Sequence, residues 1–238
     1  MDRSVLTMEE REAINQGRWF SSLSPLLRHD ILRCTTVKRF HDGELIAARG
    51  APACVWIGCA KGALRVCSTS LTGKQITLTY VEPGLWIGDI AMFDGDRRTH
   101  DTYAHGETTV LRVSRGNLER LLKDHVELYE AFLQLQARRL RLLFGQLEDL
   151  ATLPLRSRLA KQLCQLQRSY GEPVPQHPNE TLITLKLAQE ELAQLLGASR
   201  QRVNQELKTL EREHVIRVEA SGLVIRDLHQ LREIGNGE

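Results

Sequence analysis

The apolar positions of this chain change their period twice. Between residues 17 and 125 the apolar runs are short and mostly alternating: ACVWIGC, ALRVCS, QITLTYV and TTVLRV. A period of two buries one face of a strand and wets the other. Gly43, Gly50, Gly62, Gly73, Gly84 and Gly95 punctuate these runs, as turns between strands do. The spacing predicts a β-roll or barrel, with a helix from about Ser24 to Arg33 capping it.

From about His125 to Ala151 the period lengthens. Leu133, Leu140, Leu143, Leu147 and Leu150 recur at three, four or seven residues, the seam of a coiled coil. A helix of about 26 residues would be about 39 Å long. A second copy of the chain would cover the seam by twofold symmetry; packing against the β domain is the alternative. Pro154 ends this helix or opens the next. Residues 155–170 form another amphipathic helix, and the three prolines of GEPVPQHPN predict a loop over 171–179. TLITLKL reads as a short strand. VIRVEASGLVIRDL alternates on both sides of Ser221-Gly222, which reads as a hairpin.

The most informative stretch is QEELAQLLGASRQRVNQELK, Gln189 to Lys208. Leu192, Ala193, Leu195 and Leu196 make the apolar face of a first helix. Gly197 stands where the chain must turn sharply, in a backbone state glycine tolerates best. Ser199 is placed to N-cap a second helix. Val203 and Leu207 bury that helix, leaving Arg200, Gln201, Asn204, Gln205 and Lys208 to face outward. Arg, Asn and Gln can hydrogen-bond bidentately to purine edges in the major groove. The whole is a helix-turn-helix, and with the terminal hairpin a winged helix; an ordinary helical hairpin is the plainer alternative.

Composition narrows this picture. The chain has 238 residues, is 42% apolar and carries a net charge of +2. A basic footprint for nucleic acid must therefore be local. Arg156, Arg158, Lys161 and Arg168 offer one without an intervening acid, although a solvated helix face reads the same way. No run of about 18 apolar residues occurs, and the N-terminus lacks a signal-peptide core. A cytoplasmic chain without a membrane span is expected. Five cysteines without CxxC spacing fit reduced thiols better than an iron–sulfur cluster. His100 and His105 lack the HxH pattern of a metal-dependent cupin. No catalytic residues and no metal are expected, and the chain is not read as an enzyme.

In this order the parts resemble the Crp/Fnr family, the catabolite activator protein superfamily of bacterial transcription regulators. The resemblance runs from about Trp19 to Leu228. It is carried by FHDGELIAARG, KGALRV and GKQITLTYVEPGLWIGDIAMF at one end and LAQEELAQLLGASRQRVNQELKTLEREHVI at the other. It implies an α+β fold in three parts. Residues 17–125 would be an effector-sensing β-roll of the cyclic-nucleotide-binding type. Residues 126–152 would be a dimerisation helix built on Leu133, Leu140, Leu143, Leu147 and Leu150, and residues 154–230 a winged helix-turn-helix.

The family's effector cassette is a Gly-Glu pair followed by Arg-Ser or Arg-Thr. Gly88-Asp89 and Arg98-Thr99 stand in those places here. The carboxylate would accept from a ribose hydroxyl and the guanidinium would pair with a cyclic phosphate. Cyclic-AMP responders place Thr-Ser on the long helix to meet adenine, where this chain has Leu143-Phe144. The phosphate half is thus retained and the adenine half lost, which leaves a cyclic nucleotide one possible effector among others. Arg98 could instead pair with Asp94, Asp96 or Asp101. The resemblance further implies a homodimer on double-stranded DNA with a near-palindromic operator, and RNA polymerase as a partner. Ser199 would hold phosphate, and Arg200, Gln201 and Gln205 would reach bases. A regulatory module acting on a protein partner without DNA is the alternative.

Overall fold

The computed structural model describes residues 5–70, 75–175, 177–219 and 222–237. Gly73 and Ser221, two of the turn positions named above, lie outside them. The chain forms two compact units, one reaching to Leu140 and one beginning at Arg141.

The first unit opens with α1 (Met8–Gln16), whose first turn explains how it is anchored. Thr7 accepts from the Glu10 amide at 3.2 Å and the Glu10 carboxylate accepts from the Thr7 amide at 2.8 Å, a capping box. The same carboxylate, only 4% exposed, receives Arg39 Nη1 at 3.0 Å and the Thr109 hydroxyl at 2.7 Å. One acid thus caps a helix and fastens it to the sheet. The helix expected from about Ser24 follows as α2 (Pro25–Arg33), with the Ser24 hydroxyl accepting from the Leu27 amide as its N-cap.

Six strands form the roll: β1 (Thr36–Phe40), β2 (Leu45–Ala47), β3 (Val55–Thr69), β4 (Gln75–Val81), β5 (Trp86–Ile87) and β6 (Asp101–Ser114). Their order is β1-β6-β3-β4, with β2 on β6 and β5 on β3, and every pairing is antiparallel. The runs ACVWIGC and ALRVCS, separate in the sequence pattern, are one strand. Its register against β6 shifts around Gly62, which has φ +73°. A bulge there bends the strand without ending it. Helices α3 (Ile90–Phe93), α4 (Arg115–Asp124) and α5 (Glu127–Thr152) complete the sequence of elements.

Aromatic packing fills the first unit. Trp56 and Trp86 stack with centroids 4.2 Å apart, and Trp19 meets Trp56 edge-on at 5.6 Å. A Cβ on Gly58 would lie 2.8 Å from the Trp86 ring, so glycine there admits the indole. Phe132 of α5 joins Trp19 and Trp56 at 5.4 and 5.3 Å. Leu128 is fully buried and the Trp19 indole donates to the Ala131 carbonyl at 2.9 Å. The first turns of α5 therefore belong to the core of the first unit. Leu133, Leu140, Leu143, Leu147 and Leu150 do not: they are 54–71% exposed.

The second unit contains α6 (Leu155–Tyr170), β7 (Gly171–Val174), β8 (His177–Ile183), α7 (Gln189–Leu195), α8 (Arg200–Arg212), β9 (Ile216–Glu219), β10 (Gly222–Ile225) and α9 (Leu228–Asn236). The four strands run β7-β8-β10-β9. Two expectations change here. The proline-rich stretch read as a loop supplies β7 and the start of β8; its Pro173 sits on the edge strand, where a missing N–H costs no ladder bond. The strand read over TLITLKL ends at Ile183. The terminal hairpin is present, Gly222 opposite Glu219 and Ile225 opposite Ile216. Leu159, Val203, Leu210, Val215 and Leu231 are fully buried and form the core of this unit around α6, α8 and α9.

Candidate functional site: a recognition helix and a sensor cassette

In the second unit α7 ends at Leu195, and Gly197 takes φ +59°, the left-handed turn its place requires. The Ser199 hydroxyl accepts from the Arg202 amide at 3.3 Å and starts α8. Leu192, Ala193, Leu196, Val203 and Leu207 are buried. Leu195, placed on the apolar face by the sequence, is only half-buried. Arg200, Gln201, Gln205 and Lys208 stand exposed along one helix, beside Arg202, which periodicity did not single out. Asn204 is half-buried, and its oxygen accepts from the Gln189 side chain at 3.3 Å. That bond ties α8 to α7 and leaves the amide nitrogen of Asn204 to other acceptors.

The basic run on α6 is largely spent inside the unit. Arg156 forms a two-pronged pair with Glu213, at 3.0 Å for Nη1. That bond holds the Glu213 carboxyl below its ordinary value. Arg158 donates to the Leu196 carbonyl at 2.7 Å and so caps the end of α7. Lys161 reaches Asp149 at 2.6 Å. Arg168 is exposed. These cations, a possible footprint by sequence, mostly hold the fold together.

In the first unit Gly88 and Arg98 meet. Gly88 has φ +93°, and a Cβ on it would stand 3.1 Å from Arg98 Nη1 and 3.2 Å from the Val55 carbonyl. Arg98 Nη2 donates to that carbonyl at 2.5 Å. The guanidinium is half-buried, and desolvation pulls its pKa below the ordinary value. Among the described residues it forms no ion pair with Asp94, Asp96 or Asp101. Asp101 accepts from the Arg49 amide at 2.8 Å and the Thr69 hydroxyl at 2.9 Å, and Asp94 accepts from the Asp96 amide at 3.0 Å. The neighbouring Thr99 is exposed, with its hydroxyl 2.8 Å from His100 Nδ1.

Asp89 is fully buried. Its Oδ2 accepts from Arg139 Nη1 at 2.7 Å and from the Gln136 side-chain amide, and Arg139 Nη2 donates to the Trp86 carbonyl. Among the described residues its Oδ1 has no hydrogen-bond partner, although no solvent reaches it. A buried carboxylate is tolerable beside a guanidinium, and a lone acceptor oxygen calls for a donor. A half-desolvated cation and a buried acceptor fit a ligand that carries an anion and a hydroxyl. Arg139 and Gln136 escaped the sequence reading; the one signal was polar side chains interrupting an apolar helix. Leu143 and Phe144 lie on the outer part of α5, 55% and 62% exposed, and offer no hydrogen-bonding group.

A sheet-built sensor, a long helix and a winged helix-turn-helix define an effector-controlled regulator of DNA. Comparison with known proteins agrees. The Crp-like helix-turn-helix domain matches residues 157–234 and the cyclic nucleotide-binding domain matches residues 37–125. The chain is 31% identical over 192 residues to a CRP-like cAMP-activated global transcriptional regulator of Mycobacterium tuberculosis, covering 81% of this chain and 84% of that one. It is 26% identical over 222 residues to the cAMP-activated global transcriptional regulator CRP of Haemophilus influenzae, 93% and 94% of the two. A CRP-family transcriptional regulator of Thermus thermophilus has a similar structure, with TM-score 0.68, 26% identity and 84% and 96% of the chains covered. The chain belongs to the Crp/Fnr family of transcription regulators, a non-enzymatic family whose members bind DNA as homodimers. Among its described residues no helix is long and apolar enough to cross a membrane.

Proposed function

We propose that this regulator works as a homodimer which reads a near-palindromic operator, under control of a small anionic effector bound in the cassette of residues 88–99. The observation that carries the reading is the outer face of α8. Arg200, Gln201, Gln205 and Lys208 are exposed over a buried Val203 and Leu207, so bases and phosphates are within reach of side chains suited to them. The recognition helices of a twofold dimer would enter successive major grooves about 34 Å apart. Ser199 and Lys208 would meet phosphates, Arg200 a guanine, and Gln201 and Gln205 the adjoining bases.

The division of labour follows the three segments 17–125, 126–152 and 154–230. Arg98 and Thr99 would hold a phosphate, with Gly88 leaving room for the guanidinium, and Asp89 Oδ1 would accept a ligand hydroxyl. Leu143 and Phe144 would give little selection for adenine. A cyclic nucleotide is the effector class that suits these residues, and RNA polymerase is the partner such a regulator would address. Electrophoretic shift of genomic fragments, with and without cyclic AMP and cyclic GMP, tests the proposal. Specific, ligand-enhanced shifts support it. A chain that binds a nucleotide but shifts no DNA would instead be a ligand-binding regulatory module for a protein partner.

A further inference from the structure

We infer that Gln136 is the residue through which the state of Asp89 reaches the dimer seam. The inference rests on the seam of α5 being the dimer interface, as proposed above. The exposed leucines of α5 fall into two heptad series. Leu133, Leu140 and Leu147 are seven residues apart, and so are Leu143 and Leu150. Counting back seven from Leu143 gives Gln136. An amide thus stands in the second series where the repeat calls for an apolar side chain.

A polar group at such a place is costly if the seam buries it without a partner. The structure supplies the partner from within the subunit. Gln136 is half-buried, and its amide nitrogen donates to Asp89 Oδ2, the oxygen that also takes Arg139 at 2.7 Å. The place on the helix makes this possible. Gln136 is one turn from Phe132, which is 3% exposed in the sensor core, and three residues from Arg139. Residues three and four apart share a helix face. Gln136 therefore stands at the border between the stripe that packs on the sensor and the stripe left exposed. It is the one position of the heptad series with a hydrogen bond into the cassette among the described residues.

The consequence is a shared group. While Asp89 holds the amide, it is drawn toward the sensor and kept from facing a partner helix. A donor that enters at the free, buried Oδ1 changes what Oδ2 offers to Gln136 and Arg139. The released amide then lies in the seam. Gln136 acts as a positioning residue, with Asp89 as the switch it reports.

The test needs no ligand. Dimer dissociation constants of the full chain are measured by sedimentation for wild type, Asp89→Ala, Gln136→Leu and the double variant. Gln136→Leu should tighten the dimer, because it completes the apolar series. Asp89→Ala should weaken the wild-type dimer on the order of tenfold, two hydrogen bonds per dimer each contributing a few-fold. In the Gln136→Leu background the same change should leave the constant within about twofold, because coupling in such a cycle appears only between residues that interact. Equal effects of Asp89→Ala in both backgrounds would overturn the inference while leaving the dimer intact. A monomeric wild type would overturn the seam reading itself. Asp89→Leu, which is close in size and carries no acceptor, gives the same cycle if Asp89→Ala does not fold.

Discussion

Arg139 clasps Asp89 from fifty residues away in the chain: its Nη1 donates to Oδ2 at 2.7 Å, and its Nη2 donates to the carbonyl of Trp86. The acid holds the carboxylate position of the proposed effector cassette, and the arginine sits on α5. One ion pair therefore joins the cassette to the helix that carries the exposed leucines. A ligand with differential affinity for the paired and unpaired states would bias that helix, which is what population shift requires.

The seam makes the first prediction. With Leu133, Leu140, Leu143, Leu147 and Leu150 all more than half exposed in a single chain, wild type should be a dimer at micromolar concentration. Leu147→Asp would place a charge in the seam, and dissociation should rise at least about a hundredfold. Sedimentation equilibrium measures both, and a monomeric wild type contradicts the account.

The recognition helix makes the second. Arg200→Ala should cost on the order of 1–3 kcal/mol per half-site and relax preference at one base position. Lys208→Ala should weaken all sequences alike and lower the salt slope by about one. Titrations of operator and scrambled duplex at several salt concentrations separate the two behaviours. An Arg200→Ala protein with unchanged sequence preference would mean that α8 docks differently.

The sensor makes the third. Cyclic AMP should bind weakly with little preference over cyclic GMP, since Leu143 and Phe144 cannot pair with a base edge. Arg98→Ala should abolish binding of both, because a charge-assisted phosphate bond is lost. Gly88→Ala should impair binding as well, through its φ of +93° and the 3.1 Å approach of Arg98. Calorimetry with both nucleotides decides the matter; tight, adenine-selective binding would mean that groups other than the Leu-Phe pair read the base.

Much of this was legible in the sequence because the relevant signals are local. Gly197, Ser199 and the spacing of Val203 and Leu207 specify the helix-turn-helix within twenty residues, and the leucine repeat specifies α5. The features that escaped depend on distant partners. The join of ACVWIGC to ALRVCS depends on a bulge against β6, and the strand β7 depends on pairing with β8 across a proline-rich turn. The basic residues of α6 looked available because Glu213, Leu196 and Asp149, which engage them, are outside that run. Likewise nothing local to Gln136 announces that its amide is held by Asp89.

Acid sensitivity supplies a fourth prediction. Burial alone would raise the Glu10 carboxyl, but the Thr7 amide, the Thr109 hydroxyl and Arg39 outweigh it and hold its pKa below the ordinary value. A carboxyl depressed in the folded state contributes stability above its unfolded pKa, and that contribution fades as pH falls through the folded pKa. Wild type should therefore lose thermal stability below the usual carboxylate range. Glu10→Gln should melt lower at neutral pH and show a shallower acid dependence. Parallel melting curves for the two proteins across pH would refute the assignment.

That a dimer reads DNA sequence through α8 is a claim open to selection of bound sites from a pool of random duplexes. The full chain should enrich two inverted half-sites whose centres lie about one helical turn apart. Arg200→Ala should lose the preference at one symmetric pair of positions. Recovery of no common site, or of a single unpaired half-site, would contradict the claim.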